Sequence, residues 1–333
     1  VPCRARFQLD LGGLAKEPEI DLDEGVARLS SATALGAVRE SLGDSGWEMP
    51  LDPPGQRATV GGTIAAAAAG PRFGAPKDSV LGMNVCLASG ERVKFGGRVV
   101  KNVTGYDLSK LFTGSFGTLG VIESVWLRLR PTPETSRVFR SRVSRDATAN
   151  LGVARLSTAR VFAVASEAGE SELTLELAGD VPAVEADLAA ARDTADWEEV
   201  DAAAVDRVRD AQGAGPVRVR VSALPTRVLE AADTFRAAGA EATLAYPLRG
   251  TAHGRFGATA EADELAIGAI WQAARLAADR GRGPFAVEQA PVEVRRGQEV
   301  FGQPDDTLPL QRSIKRQYDP AGILNPGRFA GGL

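Results

Sequence analysis

The feature that most constrains this chain is a glycine-rich stretch that runs from Pro53 to Pro133. Ordering a glycine costs conformational entropy, so repeated glycines indicate backbone with positive φ or close approach of another group. A large, flat, phosphate-bearing ligand would account for both. The glycines that carry this argument are Gly61, Gly62, Gly70, Gly74, Gly82, Gly96, Gly97, Gly105, Gly114, Gly117 and Gly120.

Length and composition narrow the class of protein. The chain has 333 residues, more than one ordinary hydrophobic core accommodates, which favours two domains. A net charge of -4 provides no basic field for nucleic acid. Two cysteines, Cys3 and Cys86, form no metal-ligand spacing and indicate a reducing compartment. The longest apolar run is far shorter than a membrane span.

Hydrophobic periodicity predicts the elements of the first third of the chain. We expect an amphipathic helix over residues 33–42, capped by Thr33 and ended by Gly46. Residues 80–87 and 92–95 should form a hairpin around a turn at residues 88–91. The alternating segment 122–129 should form a half-buried strand. Further strands are expected at 7–11 and 25–29, and a short helix at 107–112.

Residues 59–69 place Thr-Val-Gly-Gly before an alanine run. This pattern predicts a turn that leads into a helix with very small side chains, able to lie close to a sheet or a cofactor. The helix start would present N–H groups to an anion. A tight turn before an ordinary core helix explains the same residues.

From Arg137 onward the glycine density falls and strand and helix patterns alternate. The order β-α-β-β-α occurs twice, which predicts an antiparallel sheet with helices on one face. His253 is the only histidine, and a structural role is expected for it. The predicted strands cover residues 138–143, 160–165, 173–177, 217–221, 242–247, 254–258 and 285–288, and the predicted helices 147–156, 182–195, 225–238 and 262–280.

The tail combines a helix with a compact turn. Residues 308–318 read as a helix that Asp319-Pro320 ends, and residues 321–329 as a turn built on Gly322, Asn325 and Gly327. The alternative is a helix that simply ends and is followed by a disordered terminus. Such a terminus would not need the specific turn residues found here.

Four motifs carry a resemblance to a known family. They are ATVGG (58–62), DSVLGMNVCLASGE (78–91), KNVTGYDLSKLFTGSFGTLGVI (101–122) and YDPAGILNPGRF (318–329). Together they resemble the FAD-linked oxidases of the vanillyl-alcohol oxidase type, which have a PCMH-type FAD-binding domain. Within that family the chain is most similar to the E-type subunits of glycolate oxidases. The likeness covers residues 5–135 and 295–333.

The resemblance implies an α+β fold. Residues 1–135 would form the PCMH-type FAD-binding domain, and residues 136–290 an inserted cap domain with an antiparallel sheet. Residues 291–333 would return to the flavin site. The family normally opens with a further βαβ unit whose glycine-rich loop wraps the FAD pyrophosphate. The chain begins at about the strand after that loop, and residues 9–14 resemble the segment that comes next in the family. It is therefore expected to be a fragment or to lack half of the clamp.

The resemblance also implies a set of cofactor-binding residues for non-covalent FAD, because no histidine or cysteine matches the family's covalent attachment point. Residues 59–62 would meet the pyrophosphate and flavin edge, and residues 120–122 the adenine end. Lys101 and Asn102 would be structural or near the flavin, and the two roles stay open. The expected cofactor-binding set is Pro54, Thr59, Val60, Gly61, Gly62, Thr63, Gly70, Gly120, Val121, Ile122 and Asn325.

A hydroxy-acid oxidase needs a cation for the substrate carboxylate and a base for the hydroxyl proton. Arg72, Lys77 and Arg328 could supply the charge, although a solvated surface cation is the favoured reading of each. No residue identifies itself as the base. One histidine cannot provide a multi-histidine metal site, so no metal is expected.

The implied function is oxidation of glycolate, a small 2-hydroxy acid, to glyoxylate by an FAD-dependent oxidoreductase that acts on CH–OH groups. The implied partners are a homologous FAD-linked catalytic D subunit and an iron–sulfur F subunit. The implied location is the cytoplasm, free or peripheral on the inner face of the cell membrane. Two alternatives stay open: a flavin-free structural or assembly subunit of the same complex, and a standalone FAD-dependent alcohol oxidase.

Overall fold

The computed structural model describes residues 7–98, 107–143, 153–167, 170–257, 264–302 and 305–333. The chain divides into two compact units. The first comprises Val1–Thr132 and Asp305–Leu333, and the second Pro133–Pro304. The expected helix at residues 147–156 lies mostly outside the described residues, as do Lys101 and Asn102.

The first unit is built on a five-stranded antiparallel sheet with the strand order β1-β2-β6-β4-β5. A two-stranded ladder, β3 with β7, lies beside it. The strands are β1 Glu19–Asp21, β2 Val26–Ser30, β3 Trp47–Glu48, β4 Val80–Cys86, β5 Arg92–Gly96, β6 Val121–Arg128 and β7 Arg130–Pro131, and the helices are α1 Leu35–Leu42, α2 Val60–Ala66, α3 Ser109–Phe112 and, after the second unit, α9 Leu308–Tyr318.

The β4–β5 hairpin and β6 confirm the expectations from hydrophobic alternation. Along β6, Ile122, Val125 and Leu127 are buried, whereas Arg128 is exposed. They join one core with Val38 of α1 and with the partly buried Tyr318 of α9, so the tail helix contributes to the core of the first unit.

Two local expectations for this unit are wrong. Helix α1 forms, but Ala34 is its N-cap residue without a side-chain bond, and Gly43 ends it. Thr33 instead donates its hydroxyl hydrogen bond to the carbonyl of Lys16, 2.9 Å away. The strand expected at residues 7–11 is absent, since the amide of Gly12 bonds Asp10 Oδ1 at 2.8 Å and turns the chain there.

The second unit confirms the predicted antiparallel sheet. Within the described residues, its strands have the order β11-β8-β10-β9-β13-β14-β12-β15-β16. The strands are β8 Thr135–Val143, β9 Ala159–Glu167, β10 Glu170–Gly179, β11 Glu198–Val200, β12 Val217–Ser222, β13 Ala242–Tyr246, β14 Thr251–Phe256, β15 Phe285–Gln289 and β16 Phe301–Gly302, and the helices are α4 Val181–Arg192, α5 Ala203–Gln212, α6 Val228–Ala237, α7 Glu264–Gly281 and α8 Val292–Arg295.

Strands β11 and β16 and helices α5 and α8 were not predicted from the sequence. Helix α5 buries Ala204, Val205 and Val208 against the sheet. These three residues give only a weak hydrophobic periodicity in the sequence, so the helix was not predicted. Because β16 pairs with β15, the second unit extends to Pro304. The second compact unit thus runs past the division expected after residue 290, by about one short helix and one strand.

Candidate functional site

The start of helix α2 holds five of the predicted cofactor-binding residues. The Thr59 side chain caps the helix by accepting the amide of Gly62 at 3.2 Å. The amides of Val60 and Gly61 donate to main-chain carbonyls that follow β2, at 3.0 and 2.8 Å. The amide and hydroxyl of Thr63 both donate to the Thr59 carbonyl. The expectation that this helix start offers unused N–H groups is therefore wrong for all four amides.

The glycines here differ in what they accommodate. A Cβ on Gly61 would lie 2.5 Å from Cβ of Ser31, and a Cβ on Gly70 would overlap the carbonyl oxygen of Asp52. These two are glycine because the protein packs on itself. Gly62 is exposed, and a Cβ there would meet only the hydroxyl of Thr59, the N-cap residue of the helix, at 3.1 Å. Gly62 therefore presents an open face to solvent or to a ligand.

A half-buried strip of alanines, residues 65–69, continues from this helix. Residues 113–118, which we term the glycine loop, bond to it. The amide of Gly114 donates to the carbonyl of Ile64 at 3.0 Å, and the amide of Phe116 to the carbonyl of Ala65 at 2.8 Å. The strip is thus fixed from one side by main-chain bonds and carries no side chain larger than a methyl group.

The tail is tied to the glycine loop by a buried lysine. Lys315 Nζ donates to the carbonyls of Thr118 at 2.7 Å and Leu324 at 2.9 Å, and to Asp319 Oδ2 at 2.6 Å. The side chains of Lys315 and Asp319 are 10% and 0% exposed. Asn325 adds a second tie, because its Nδ2 donates to the carbonyl of Phe116 at 2.8 Å.

Asp319 is held as an anion. Burial alone raises its pKa, but the hydrogen bond from Lys315 and the amides of Leu324 and Ile323 outweigh burial and hold the pKa below its ordinary value. The amide bonds measure 2.8 and 3.0 Å. One carboxylate therefore fixes the tail turn and neutralises the lysine that anchors it.

Strained backbone concentrates at this junction. Ala67, Phe116 and Asn325 have φ of 48°, 53° and 43°, and they are three of the four non-glycine residues with positive φ among those described. Each lies on one of the three segments that meet here. Gly117 belongs to the same contact, since a Cβ on it would lie 2.8 Å from Nδ2 of Asn325. Such outliers cluster at functional sites, where the surroundings enforce them.

The predicted adenine-side residues lie at the start of β6. A Cβ on Gly120 would lie 2.5 Å from Cγ1 of Val85, so this glycine serves the packing of β6 on β4. Val121 and Ile122 pair with Cys86 and Val85. The sheet therefore fixes the main chain of Val121 and Ile122. A fixed main chain is what hydrogen bonding to the edge of the adenine ring would require.

The structure separates the three candidate substrate cations by environment. Arg72 is half-buried, and its amide donates to Asp52 Oδ2 at 2.8 Å. Lys77 and Arg328 are exposed on turns, and within the described chain no hydrogen bond or ion pair holds either side chain. Pro54 is half-buried before the exposed turn that leads to Thr59.

Of the residues brought together here, sequence reasoning identified Asn325 and missed Lys315, Asp319 and Thr118. The signal was present as a lysine and an aspartate at i and i+4 next to a proline. Among the described residues no group of three histidine, cysteine, aspartate or glutamate side chains could hold a metal ion. The same residues contain no helix long and apolar enough to cross a bilayer.

Comparison with known proteins gives a domain family and several relatives. Residues 2–96 match the model of an FAD binding domain. The chain is 39% identical over 129 residues to glycolate oxidase subunit GlcE of Escherichia coli, and this match covers 37% of each of the two chains. It is 34% identical over 125 residues to glycolate oxidase subunit GlcD of Bacillus subtilis, covering 36% of this chain and 27% of the relative. Matched segments thus span well under half of these relatives.

Two further comparisons concern a lactate enzyme and the fold. The mitochondrial D-lactate dehydrogenase [cytochrome] of Arabidopsis thaliana is 41% identical over 104 residues, covering 30% of this chain and 18% of the relative. A solved structure of alkyldihydroxyacetonephosphate synthase superposes with a TM-score of 0.63 at 14% identity, covering 95% of this chain and 67% of that one. The chain is therefore related to FAD-linked oxidases and has the PCMH fold.

FAD, the cofactor of this domain family, fits the described surface in part. The open face of Gly62 and the alanine strip allow a flat ring to approach the backbone closely. The amides at the start of α2 are already bonded within the protein, so they offer no cradle for the pyrophosphate. The surface consequently suits the ring systems of FAD better than its phosphates.

Proposed function

We propose that this chain, which carries an FAD-binding domain related to those of FAD-linked oxidases, is the E-type flavin subunit of a glycolate oxidase complex. The complex would oxidise glycolate, a 2-hydroxy acid, to glyoxylate. The observation that carries the proposal is the junction of the alanine strip, the glycine loop and the tail, where three strained residues meet beside an open glycine. When bound, FAD would supply the two-electron oxidation of the CH–OH group.

The chain's own residues would bind and orient the cofactor. Gly62 and residues 65–69 would take a ring face, and Val121 and Ile122 would meet the adenine through main-chain groups. Asn325 would hold the tail turn against the glycine loop, through its bond to Phe116. Arg72, Lys77 and Arg328 remain the candidate cations for the substrate carboxylate, and we infer that the base comes from elsewhere in the complex.

The complex would comprise a homologous FAD-linked D subunit, in which most of the chemistry takes place, and an iron–sulfur F subunit. The relative from Bacillus subtilis is itself a glycolate oxidase subunit of the D kind, which supports a shared ancestry of the two flavin-binding chains. We infer a cytoplasmic location, free or peripheral on the membrane. Transfer of electrons, rather than independent turnover, is the role that suits a chain with one histidine.

A flavin-free assembly subunit is the second candidate, and one observation favours it. All four amides at the start of α2 are satisfied within the protein, so no ligand is needed to complete that helix start. The two candidates differ in one measurable property, the retention of FAD by the purified full chain.

The test is titration of the full chain with FAD, followed by the quenching of flavin fluorescence. We expect saturable binding that Gly62→Val abolishes, because an isopropyl group would occupy the open face. Gly36→Ala is the matched control, since a Cβ at Gly36 meets no atom within 4 Å. Absence of binding to the unaltered chain favours the flavin-free subunit, and unchanged binding by Gly62→Val refutes the site.

A further inference from the structure

The second unit contains a cavity of about 290 Å³ over one face of its sheet, and every residue that lines it belongs to this unit. Strands β9, β10, β13, β14 and β12 form its floor, and the C-terminal end of helix α5 forms one wall. This volume lies at the lower end of the range of small-molecule sites. It therefore suits a small metabolite.

The floor of the cavity is apolar because small residues occupy it. Ala165 and Leu244 are paired across β9 and β13 and face the same side of the sheet, as does Ala242 two residues along β13. Leu244 belongs to the core beneath α5. A short carbon chain could rest on this floor and exclude water from it.

Charged side chains line the walls, and most of them are paired with each other. Arg255 Nη2 lies 3.0 Å from Glu167 Oε1, and Arg142 Nε lies 3.7 Å from Glu172 Oε2. Glu170 is exposed at the rim. These pairs largely neutralise one another, so they do not define the charge that the cavity selects.

Arg218 is the exception. It lines the cavity from β12 and forms no ion pair within 4 Å among the described residues, although the Glu288 carboxylate interacts with it electrostatically at longer range. Its Nη1 donates to the carbonyl of Gly213, at the end of α5, while its Nε is buried without a hydrogen-bond partner. Because Nε is buried, a ligand in the cavity could reach only the terminal nitrogen atoms of the guanidinium, and a carboxylate is the group whose geometry matches them.

His253 is a second polar side chain on the same face of the sheet. Its side chain is 8% exposed, it lines the cavity, and its Nδ1 is buried without a hydrogen-bond partner. The nearest carboxylate oxygen, Glu288 Oε2, lies 3.7 Å away, and Glu288 is already bonded to Arg220 at 2.9 Å. Arg218 and His253 therefore line one cavity from neighbouring strands, β12 and β14.

We propose that this cavity binds a small carboxylic acid, with the carboxylate at Arg218 and His253 and a short alkyl chain on Ala165, Ala242 and Leu244. The site lies wholly within the second unit. It goes beyond the proposed flavin function and does not depend on FAD. A floor of this kind favours lactate and 2-hydroxybutyrate over glycolate.

The test is isothermal titration of the FAD-free full chain with glycolate, lactate and 2-hydroxybutyrate, and with inorganic phosphate as a plain anion. We expect saturable binding that strengthens about fourfold for each added methylene. Arg218→Gln should weaken it by about ten- to hundredfold, the loss expected for a charge-assisted hydrogen bond. Arg207→Gln is the control, because Arg207 is exposed on helix α5, which forms one wall of the cavity, but does not line the cavity itself.

Ala242→Leu tests the floor without altering any charge, and it should abolish binding by filling the cavity. Thermal melting of each variant verifies that it folds, and the Ala242→Leu result decides the proposal if Arg218→Gln does not fold. Absence of saturable binding, equal binding of phosphate, or unchanged binding by Ala242→Leu would overturn the proposal. FAD titration of the same samples is unaffected by any of these outcomes, so failure here is distinguishable from failure of the flavin function.

Discussion

Replacing Lys315 with methionine tests whether the buried tie between the tail and the glycine loop stabilises the first unit. Methionine keeps the length and most of the volume of the side chain but removes the three hydrogen bonds that Nζ donates. Asp319, fully buried, then loses its counter-charge, and the carbonyls of Thr118 and Leu324 lose their donor.

The size of the loss depends on the burial of the pair. Removing one partner of a buried ion pair costs about 3–5 kcal/mol, because the remaining charge is left uncompensated. Two amide bonds still reach Asp319, which places the expected loss at the lower end, about 3 kcal/mol. Lys110→Met is the matched control. Lys110 pairs with Asp107 at 3.3 Å, but the two side chains are 54% and 46% exposed, so its loss should be below about 1 kcal/mol.

The assay is urea unfolding followed by tryptophan fluorescence, with Trp47 and Trp126 as reporters in the first unit. The pH dependence provides an independent test. Because the pKa of Asp319 is lowered on folding, its contribution is present above the ordinary carboxyl pKa of about 4. That contribution is lost as the pH falls through the folded pKa, so the difference between the unaltered chain and Lys315→Met should shrink in strong acid. A loss no larger than that of Lys110→Met would refute the reasoning.

Three further predictions use other parts of the chain. Gly70→Ala should destabilise the first unit by at least about 2 kcal/mol, because a Cβ would overlap the carbonyl of Asp52. The control Gly36→Ala should be neutral or stabilise the unit by up to about 1 kcal/mol. Thermal melting of the two variants measures the difference. With His253 as the only histidine, elemental analysis of the purified chain should find less than stoichiometric zinc, and one tightly bound zinc per chain would contradict this. The chain alone should oxidise glycolate poorly with an artificial electron acceptor, because no residue is identified as the general base, whose help is typically worth about 10²–10⁴ in rate. Robust turnover without D-type and iron–sulfur partners would overturn the accessory role.

Sequence reasoning was most successful where the hydrophobic period is strict. The alternation along residues 122–129 and the turn at Gly90 predicted β6 and the β4–β5 hairpin, because these signals arise within the segments themselves. It failed where a contact distant in sequence decides the outcome. Thr33 has the right side chain for a helix cap, yet its hydroxyl bonds Lys16, a choice that no local pattern encodes.

The candidate site illustrates the same division. The glycine spacing and the Asn-Pro-Gly turn predicted that these segments come together, and Asn325 does contact the glycine loop. What each glycine accommodates could not be inferred, because Gly61 and Gly70 face other parts of the protein, whereas Gly62 faces outward. The three strained residues went unrecognised, since a positive φ at Ala67 or Phe116 leaves no trace in residue type.

The discontinuity of the first unit also bears on how the chain matures on the ribosome. Residues 305–333 emerge only after the whole second unit has been synthesised, and the bond from Lys315 to Thr118 joins positions 197 residues apart. The second unit, continuous in sequence, can fold during translation, whereas the first must wait with part of its core uncovered. Such a nascent state exposes apolar surface to chaperones and to aggregation, so slow synthesis of residues 133–304 should lower the yield of correctly folded protein.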